Sequence, residues 1–166
     1  MEKQTNPDFG QVKDFIENGI PFLKKVGILV EEVATGKIKL GVHRDVTNLN
    51  HFGTYQAGVY MTLAEAAGAA LLATILDLSD VLLLTKECHV KFGDPAKDYL
   101  TYEGGLDHEV ADKIINQLVR NRKMDVPMKV ILRNENGKMA AEASLIYYLR
   151  AGSSAIINAQ SNQKSV

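Results

Sequence analysis

The chain has 166 residues, of which 46% are hydrophobic and 23% charged, and its formal net charge is −1. This length fits one domain with its own core, and the composition excludes an intrinsically disordered chain. A nearly neutral chain has no general attraction to nucleic acid or to an anionic membrane, so neither is an expected partner. Cys88 is the only cysteine, so no intrachain disulfide forms, and a reducing, cytoplasmic environment is expected.

The first half of the chain predicts a short helix, a strand hairpin and then a long apolar helix. Residues 7–19 carry apolar side chains at helical spacing, which predicts an amphipathic helix. Residues 26–34 and 37–43 predict two strands that meet at the turn dipeptide Thr35-Gly36. An irregular polar stretch then leads into an apolar helix over about 56–76.

The second half predicts four strands with one small helix among them. Residues 81–92 and 99–107 predict strands, and residues 108–122 predict an amphipathic helix. The last two strands, 125–134 and 138–150, are predicted to form a hairpin because an Asn-Gly turn signal separates them.

The helix over 56–76 is apolar on all sides except for Glu65 near its middle. Such a helix is expected to be buried throughout. The simplest architecture is therefore α+β, a curved antiparallel sheet wrapped around one long buried helix. Residues 1–151 form the predicted single domain, and the Ser/Asn/Gln-rich tail 152–166 is expected to be mobile. A sheet of this kind leaves an edge strand open, which favours a homodimer.

The segment that leads into this helix resembles a known family, the hotdog-fold acyl-CoA thioesterases. The likeness is to the phenylacetate-pathway (PaaI-like) branch and its uncharacterised relatives. The matching residues are Asn50, Gly53, the pair Ala57-Gly58, Leu63 and Glu65. The stretches 20–28 and 135–150 also resemble that family's entry into its first strand and its final hairpin, so the likeness covers about residues 9–150.

The resemblance implies the hotdog fold and hydrolysis of an acyl-CoA thioester to a free acid and coenzyme A. Coenzyme A is then part of the substrate, and no metal or redox cofactor is implied. The resemblance also implies a homodimer or a dimer of dimers, with the site at the subunit interface. The chain departs from the family at Gln56-Ala57, where members often carry His-Gly, and at Ala69, where some carry Thr or Ser.

Thioester hydrolysis needs a group that activates water or attacks the carbonyl, and donors for the developing oxyanion. Glu65 is the predicted general base or nucleophile, because burial makes a carboxylate a stronger base. The backbone N–H of Ala57 or Gly58 is the predicted oxyanion donor, since the first N–H groups of a helix have no intrahelical partner. Gly58 and Glu65 lie seven residues apart, or about 10.5 Å along a helix axis. The two-subunit site that the resemblance implies would close this gap, with Asn50 orienting water or the thioester.

Each of these residues also has a structural interpretation. Glu65 could be a buried acid satisfied by His51 or Tyr60, and Asn50 could be an ordinary turn residue. Candidate substrate-binding residues lie before the helix, on it and near the later helix: His51, Gly53, Gln56, Tyr60, Met61, Arg120 and Arg122. The two arginines suit coenzyme A phosphates, although a solvated helix end also explains them. Cys88 is expected to be an inert strand residue, and the histidines show no metal-ligand spacing, so no metal site is expected.

Two other functions compete with thioester hydrolysis. Hydroxyacyl-thioester dehydratases and hydratases of the same fold carry a His-Phe about fourteen residues before a Glu, and His51-Phe52 precedes Glu65 by that interval. Loss of activity in a His51→Ala variant would distinguish such an enzyme. A non-catalytic module that binds acyl-CoA is the other alternative, suggested by the departures at Gln56-Ala57 and Ala69.

Overall fold

A computed structural model describes residues 9–152, and its elements follow the predicted order. The helices are α1 (Phe9–Asp14), α2 (Pro21–Val26), α3 (Ala57–Ala73) and α4 (His108–Asn121). The strands are β1 (Ile28–Ala34), β2 (Lys37–His43), β3 (Val81–Phe92), β4 (Tyr99–Gly105), β5 (Lys123–Asn134) and β6 (Met139–Ala151). Short π-helical and 3₁₀ turns occupy Phe15–Gly19 and Val46–Asn48. The tail 152–166 was predicted to be mobile; apart from Gly152, it lies outside the described residues.

The first strand begins two residues later than predicted because a short helix precedes it. Pro21 occupies the first turn of α2, where its fixed φ suits a helix start and its missing N–H is not needed. Gly27 ends α2 with a φ of 79°, a left-handed conformation that favours glycine. Ile28 can therefore begin β1 directly. Within residues 9–152, no helix is long and apolar enough to cross a membrane.

The six strands form one antiparallel sheet in the order β1-β2-β4-β5-β6-β3. Strands β4 and β5 pair only through Leu100 with Asn134 and Thr101 with Arg133, whereas β6 pairs along almost its full length with both β5 and β3. The inserted helix α4 packs against β5 and β6. Helix α3 packs against the sheet through residues such as Leu63.

Helix α3 is not buried on all sides, which corrects the expectation from its composition. Gly58 and Met61 are exposed, Met61 by 44%, and Glu65 and Ala69 are only half-buried. Spacings of three and four residues place these four positions on one face of the helix. The single sheet covers the opposite side of α3, so this open face remains for a ligand or a second copy of the chain.

The two edges of the sheet differ. At the β1 edge, the N–H of Val30 donates to the Glu17 carboxylate at 2.7 Å, and the carbonyl of Val30 accepts from the Lys13 ammonium group at 2.6 Å. Side chains of the N-terminal helical segment thus satisfy backbone groups of β1 that face away from the sheet. In residues 9–152, no hydrogen bond reaches the outer edge of β3. An open edge of twelve residues is a ready template for pairing with another strand.

Candidate active site on the open face of α3

Glu65 lies in the middle of α3, on its open face, and its carboxylate is bound to the sheet. The Oγ1 hydroxyl of Thr85 donates to Oε1 of Glu65 at a distance of 2.6 Å. Thr85 lies on β3, immediately before a β-bulge that shifts the strand register between Thr85 and Glu87. Bulges of this kind redirect side chains and are common near active sites. The partner of Glu65 is therefore Thr85, and neither His51 nor Tyr60 hydrogen-bonds to it.

A second hydroxyl reaches the main chain of the same residue. The hydroxyl of Tyr147 on β6 donates to the backbone carbonyl of Glu65 at a distance of 2.6 Å. Tyr147 is fully buried, and burial raises the pKa of its hydroxyl; the negative charge of Glu65 raises it further. The hydroxyl therefore stays protonated and available as a donor.

The start of α3 presents unpaired backbone donors, as the sequence predicts. The N–H groups of Ala57 and Gly58 have no hydrogen-bond partner among residues 9–152. Gln56 is the N-cap residue, but its side chain makes no capping hydrogen bond. A Cβ added at Gly58 would meet nothing within 4 Å. The helix start is thus an open position that suits an anion or a developing oxyanion.

Asn50 organises the loop in front of the helix. Its Oδ1 accepts from the N–H of Phe52 at 2.9 Å and of Thr54 at 3.3 Å. Its Nδ2 donates to Thr54 Oγ1 at 2.8 Å. Gly53 completes the turn with a φ of 75°, which favours glycine. Asn50 and Gly53 therefore shape this loop, and their predicted contact with substrate stays a prediction.

His51 and Phe52 form the exposed tip of that loop. Their ring centroids lie 3.9 Å apart with the ring planes tilted by 41°, and both side chains are exposed. No hydrogen bond joins His51 to Glu65 within the described part of the chain. The acid and base that a dehydratase would need are therefore not connected in this protomer.

The two predicted substrate-binding residues on α3 lie on different faces. Tyr60 is only 4% exposed, its hydroxyl accepts from the N–H of Ala96 at 2.8 Å, and its ring meets the edge of Phe92. Tyr60 thus belongs to the core between α3 and the sheet, and its predicted contact with substrate stays a prediction. Met61 lies on the open face beside Glu65, where it can contact a ligand.

The two arginines lie beyond the other end of α3. Arg122 donates to the carbonyls of Ala151 and Gly152, at 3.2 and 2.7 Å. Gly152 in turn binds the backbone of Asp80, just before β3 begins. Arg120 is exposed in the last turn of α4. A helix of seventeen residues is about 24 Å from first to last Cα, so these arginines lie far from the helix start of their own protomer.

Cys88 shares the inner side of β3 with Thr85 but is a poor nucleophile. The side chain is half-buried, and burial, followed by the charge of Glu65, raises the pKa of its thiol. A thiol held protonated attacks slowly. In the described residues, no group of three or more His, Cys, Asp and Glu side chains could hold a metal ion.

Sequence reasoning missed both residues that hold Glu65. Thr85 is the one hydroxyl residue in the strand segment 81–92, at the point where the apolar run Val81–Leu84 ends, and this was the available signal. The bulge after it has no sequence signature, so the inward direction of Thr85 could not be assigned. Tyr147 stands in a run of apolar residues in which a tyrosine is ordinary.

A comparison with known families and structures agrees with this architecture. The family model named domain of unknown function DUF4442 matches residues 10–149. The chain belongs to this family. No curated protein matches this DUF4442 chain.

Several solved structures resemble this DUF4442 protein. A Pseudomonas aeruginosa protein of unknown function, described as a probable thioesterase, is 29% identical with a TM-score of 0.78, over 86% of this chain and 95% of that one. A mutant thioesterase from the same organism is 16% identical with a TM-score of 0.68, over 89% and 97%. A hypothetical thioesterase from Streptococcus pneumoniae, solved with coenzyme A, is 15% identical with a TM-score of 0.56, over 75% and 87%. The DUF4442 chain therefore has the hotdog fold, as the sequence resemblance implied.

Proposed function

We propose that this DUF4442 protein hydrolyses an acyl-CoA thioester to a free acid and coenzyme A, with Glu65 as general base or nucleophile. The observation that carries the proposal is the carboxylate of Glu65 on the open face of α3, hydrogen-bonded to Thr85 at 2.6 Å. Similar structures are described as thioesterases, and one was solved with coenzyme A. These descriptions support a thioester substrate of the coenzyme A type.

The hydrogen bond to Thr85 leaves one carboxylate oxygen of Glu65 available for chemistry. Oε2 would take a proton from water while that water attacks the thioester carbonyl carbon. The N–H groups at a helix start would stabilise the oxyanion, and the tetrahedral intermediate would expel the coenzyme A thiolate, which then takes up a proton. Attack by Oε2 itself would instead break the C–S bond, release the coenzyme A thiolate and form a mixed anhydride, which water then hydrolyses to the free acid and the Glu65 carboxylate.

A site made from two subunits would bring a Glu65 carboxylate and the N–H groups of a helix start close to the same thioester. Within one helix, Glu65 and Gly58 are about 10.5 Å apart along the axis. Met61 and Thr62 lie midway between them. If two antiparallel copies of α3 cross at these residues, Glu65 of one copy lies beside Gly58 of the other. The uncovered edge of β3 and the open face of α3 are the surfaces on which such a homodimer would form.

The same dimer would determine which of the two arginines, Arg120 or Arg122, can contact the phosphates of coenzyme A. The arginines at the end of α4 lie near the start of β3, and the start of α3 lies near its end, where Phe92 meets Tyr60. Antiparallel pairing of two β3 edges would bring Arg120 of one copy toward the helix start of the other. Arg120 is therefore the better candidate for a phosphate contact, because the guanidinium of Arg122 already binds Ala151 and Gly152.

The test is thiol release from short, medium, long and aromatic acyl-CoAs. We expect turnover by the wild type, a loss of at least about a hundredfold in kcat for Glu65→Gln, and wild-type turnover for the matched surface variant Glu103→Gln. His51→Ala should retain most activity, whereas a dehydratase would lose it. Absence of thiol release from every acyl-CoA in the wild type would refute the proposal, and enoyl-thioester hydration and binding without turnover would then be measured.

A further inference from the structure

We infer that Tyr147 is a positioning residue, which holds the helical turn that carries Glu65 through a close approach that Gly68 permits. This inference rests on the proposed function for its effect on catalysis, because Tyr147 acts only through Glu65. It concerns a residue on β6, a strand that the proposed chemistry does not otherwise use.

The hydroxyl of Tyr147 lies at a single helical turn. It donates to the carbonyl of Glu65 at 2.6 Å, and the nearby backbone of Ala69 lowers its pKa, against the larger effect of burial. In an α-helix the carbonyl of residue 65 is normally the partner of the N–H of residue 69. Tyr147 thus ties this turn of α3 directly to the middle of the sheet.

Gly68 explains how the sheet comes so close. A Cβ at Gly68 would lie 2.7 and 2.8 Å from two ring carbons of Tyr147, and closer still to its hydroxyl oxygen. Glycine is less favourable than alanine inside a helix, and the neighbours of Gly68 are all alanines. The absence of a side chain at this position is therefore matched to Tyr147.

Tyr147 and Thr85 act as a pair. They are direct cross-strand partners on β6 and β3, and both donate to Glu65, one to its main chain and the other to its carboxylate. The first bond fixes where the turn lies, and the second fixes the direction of the carboxylate. Glu65 lies half-buried on the open face of α3, so these two bonds from the sheet define its position and orientation.

A catalytic base must be held in a narrow range of positions relative to the reacting carbonyl. Misplacement by about 1 Å can cost up to about a hundredfold in rate. Removal of the Tyr147 hydroxyl leaves the ring in place but frees the turn. We therefore expect a loss in kcat with little change in KM, because the residues that contact substrate remain.

The experiment compares Tyr147→Phe with the matched control Tyr55→Phe. The Tyr55 side chain is also buried, 2% exposed, and its hydroxyl also donates to a backbone carbonyl, that of Val42 at 2.8 Å. Both variants are assayed well below the lower of their melting temperatures. We expect Tyr147→Phe to lose about tenfold in kcat with KM within about twofold, and Tyr55→Phe to keep both constants within about twofold. Equal kcat values for the two variants would overturn the inference.

Amide hydrogen exchange gives a readout that does not depend on activity. In Tyr147→Phe, the amides of residues 65–69 should exchange at least about tenfold faster, while the last turn of α3 is unchanged. Tyr55→Phe should leave residues 65–69 as in the wild type. If the wild type proves inactive, the proposed function fails, and unchanged exchange in Tyr147→Phe would separately overturn the positioning role.

Discussion

The hydroxyl of Thr85 donates to Oε1 of Glu65 over 2.6 Å, and this bond joins the middle of the central helix to the edge strand of the sheet. A bond between a hydroxyl and a carboxylate is stronger than one between neutral groups. It uses one oxygen of Glu65 and leaves the other free. The edge strand β3 thereby contributes both to the orientation of the carboxylate and to the surface on which a second subunit would pair.

Replacement of Thr85 by valine should therefore reduce catalysis more than binding. Valine keeps the shape of threonine but cannot donate to Glu65, so the carboxylate is free to rotate. We expect kcat for acyl-CoA hydrolysis to fall about tenfold with KM within about twofold. Thr101→Val is the matched control, since the Thr101 hydroxyl donates to the carbonyl of Leu40 on a different strand. A Thr85→Val enzyme as active as this control would contradict the assigned role.

Mixing two inactive variants tests the two-subunit site. Gly58→Leu should block the helix start without disturbing the protomer, because a side chain at Gly58 meets open space, and Glu65→Gln removes the base. When the two variants are unfolded and refolded together, half of the dimers are mixed, and each of these has one intact site. Activity should recover to about a quarter of the wild-type value. No recovery would show that each site belongs to a single chain.

The side chains of Lys13 and Glu17, which bind the backbone of Val30 at the β1 edge of the sheet, should contribute to stability. Glu17→Ala removes the acceptor of the Val30 N–H, a 2.7 Å bond, and should lower the free energy of unfolding by about 1 kcal/mol. Urea denaturation measures this loss. The matched variant is Glu32→Ala, at an exposed position of β1, the strand that contains Val30. It should change the free energy of unfolding by less than about 0.5 kcal/mol. Equal effects would show that the edge bond contributes nothing.

Buried tyrosines predict a loss of stability at alkaline pH. Burial raises the pKa of Tyr55 to about 12 and raises that of Tyr147 well above its ordinary value. In the unfolded chain these phenols ionise near pH 10. Above about pH 10 the unfolded state thus binds fewer protons than the folded state, so the free energy of unfolding falls as pH rises.

The same effect has a matched test. Urea denaturation from pH 8 to about 11.5 should show the decline in the wild type, and Tyr147→Phe should show a shallower one because it lacks one of the titrating groups. At pH 8 the variant is expected to be less stable than the wild type, since the carbonyl of Glu65 loses a donor. An identical pH dependence in both proteins would mean that Tyr147 is not protected from ionisation.

Local patterns in the chain were sufficient for most of the fold. The strand hairpin at Gly36, the extent of β3 and the position of α4 follow from alternation, helical spacing and turn residues, and the structure confirms them. Glu65 stood out as the single carboxylate in an apolar helix. The unpaired N–H groups at Ala57 and Gly58 are also a local property, because any helix start leaves such donors.

Three features depended on contacts between distant parts of the chain. The open face of α3 exists because one sheet covers only one side of a helix, and an Ala/Gly-rich helix looks the same whichever side is covered. The core position of Tyr60 depends on Ala96 and Phe92, which lie more than thirty residues away. The partners of Glu65 depend on a bulge in β3 and on the pairing of β3 with β6. Periodicity reports which residues are apolar, whereas packing between strands distant in sequence determines which side chains meet.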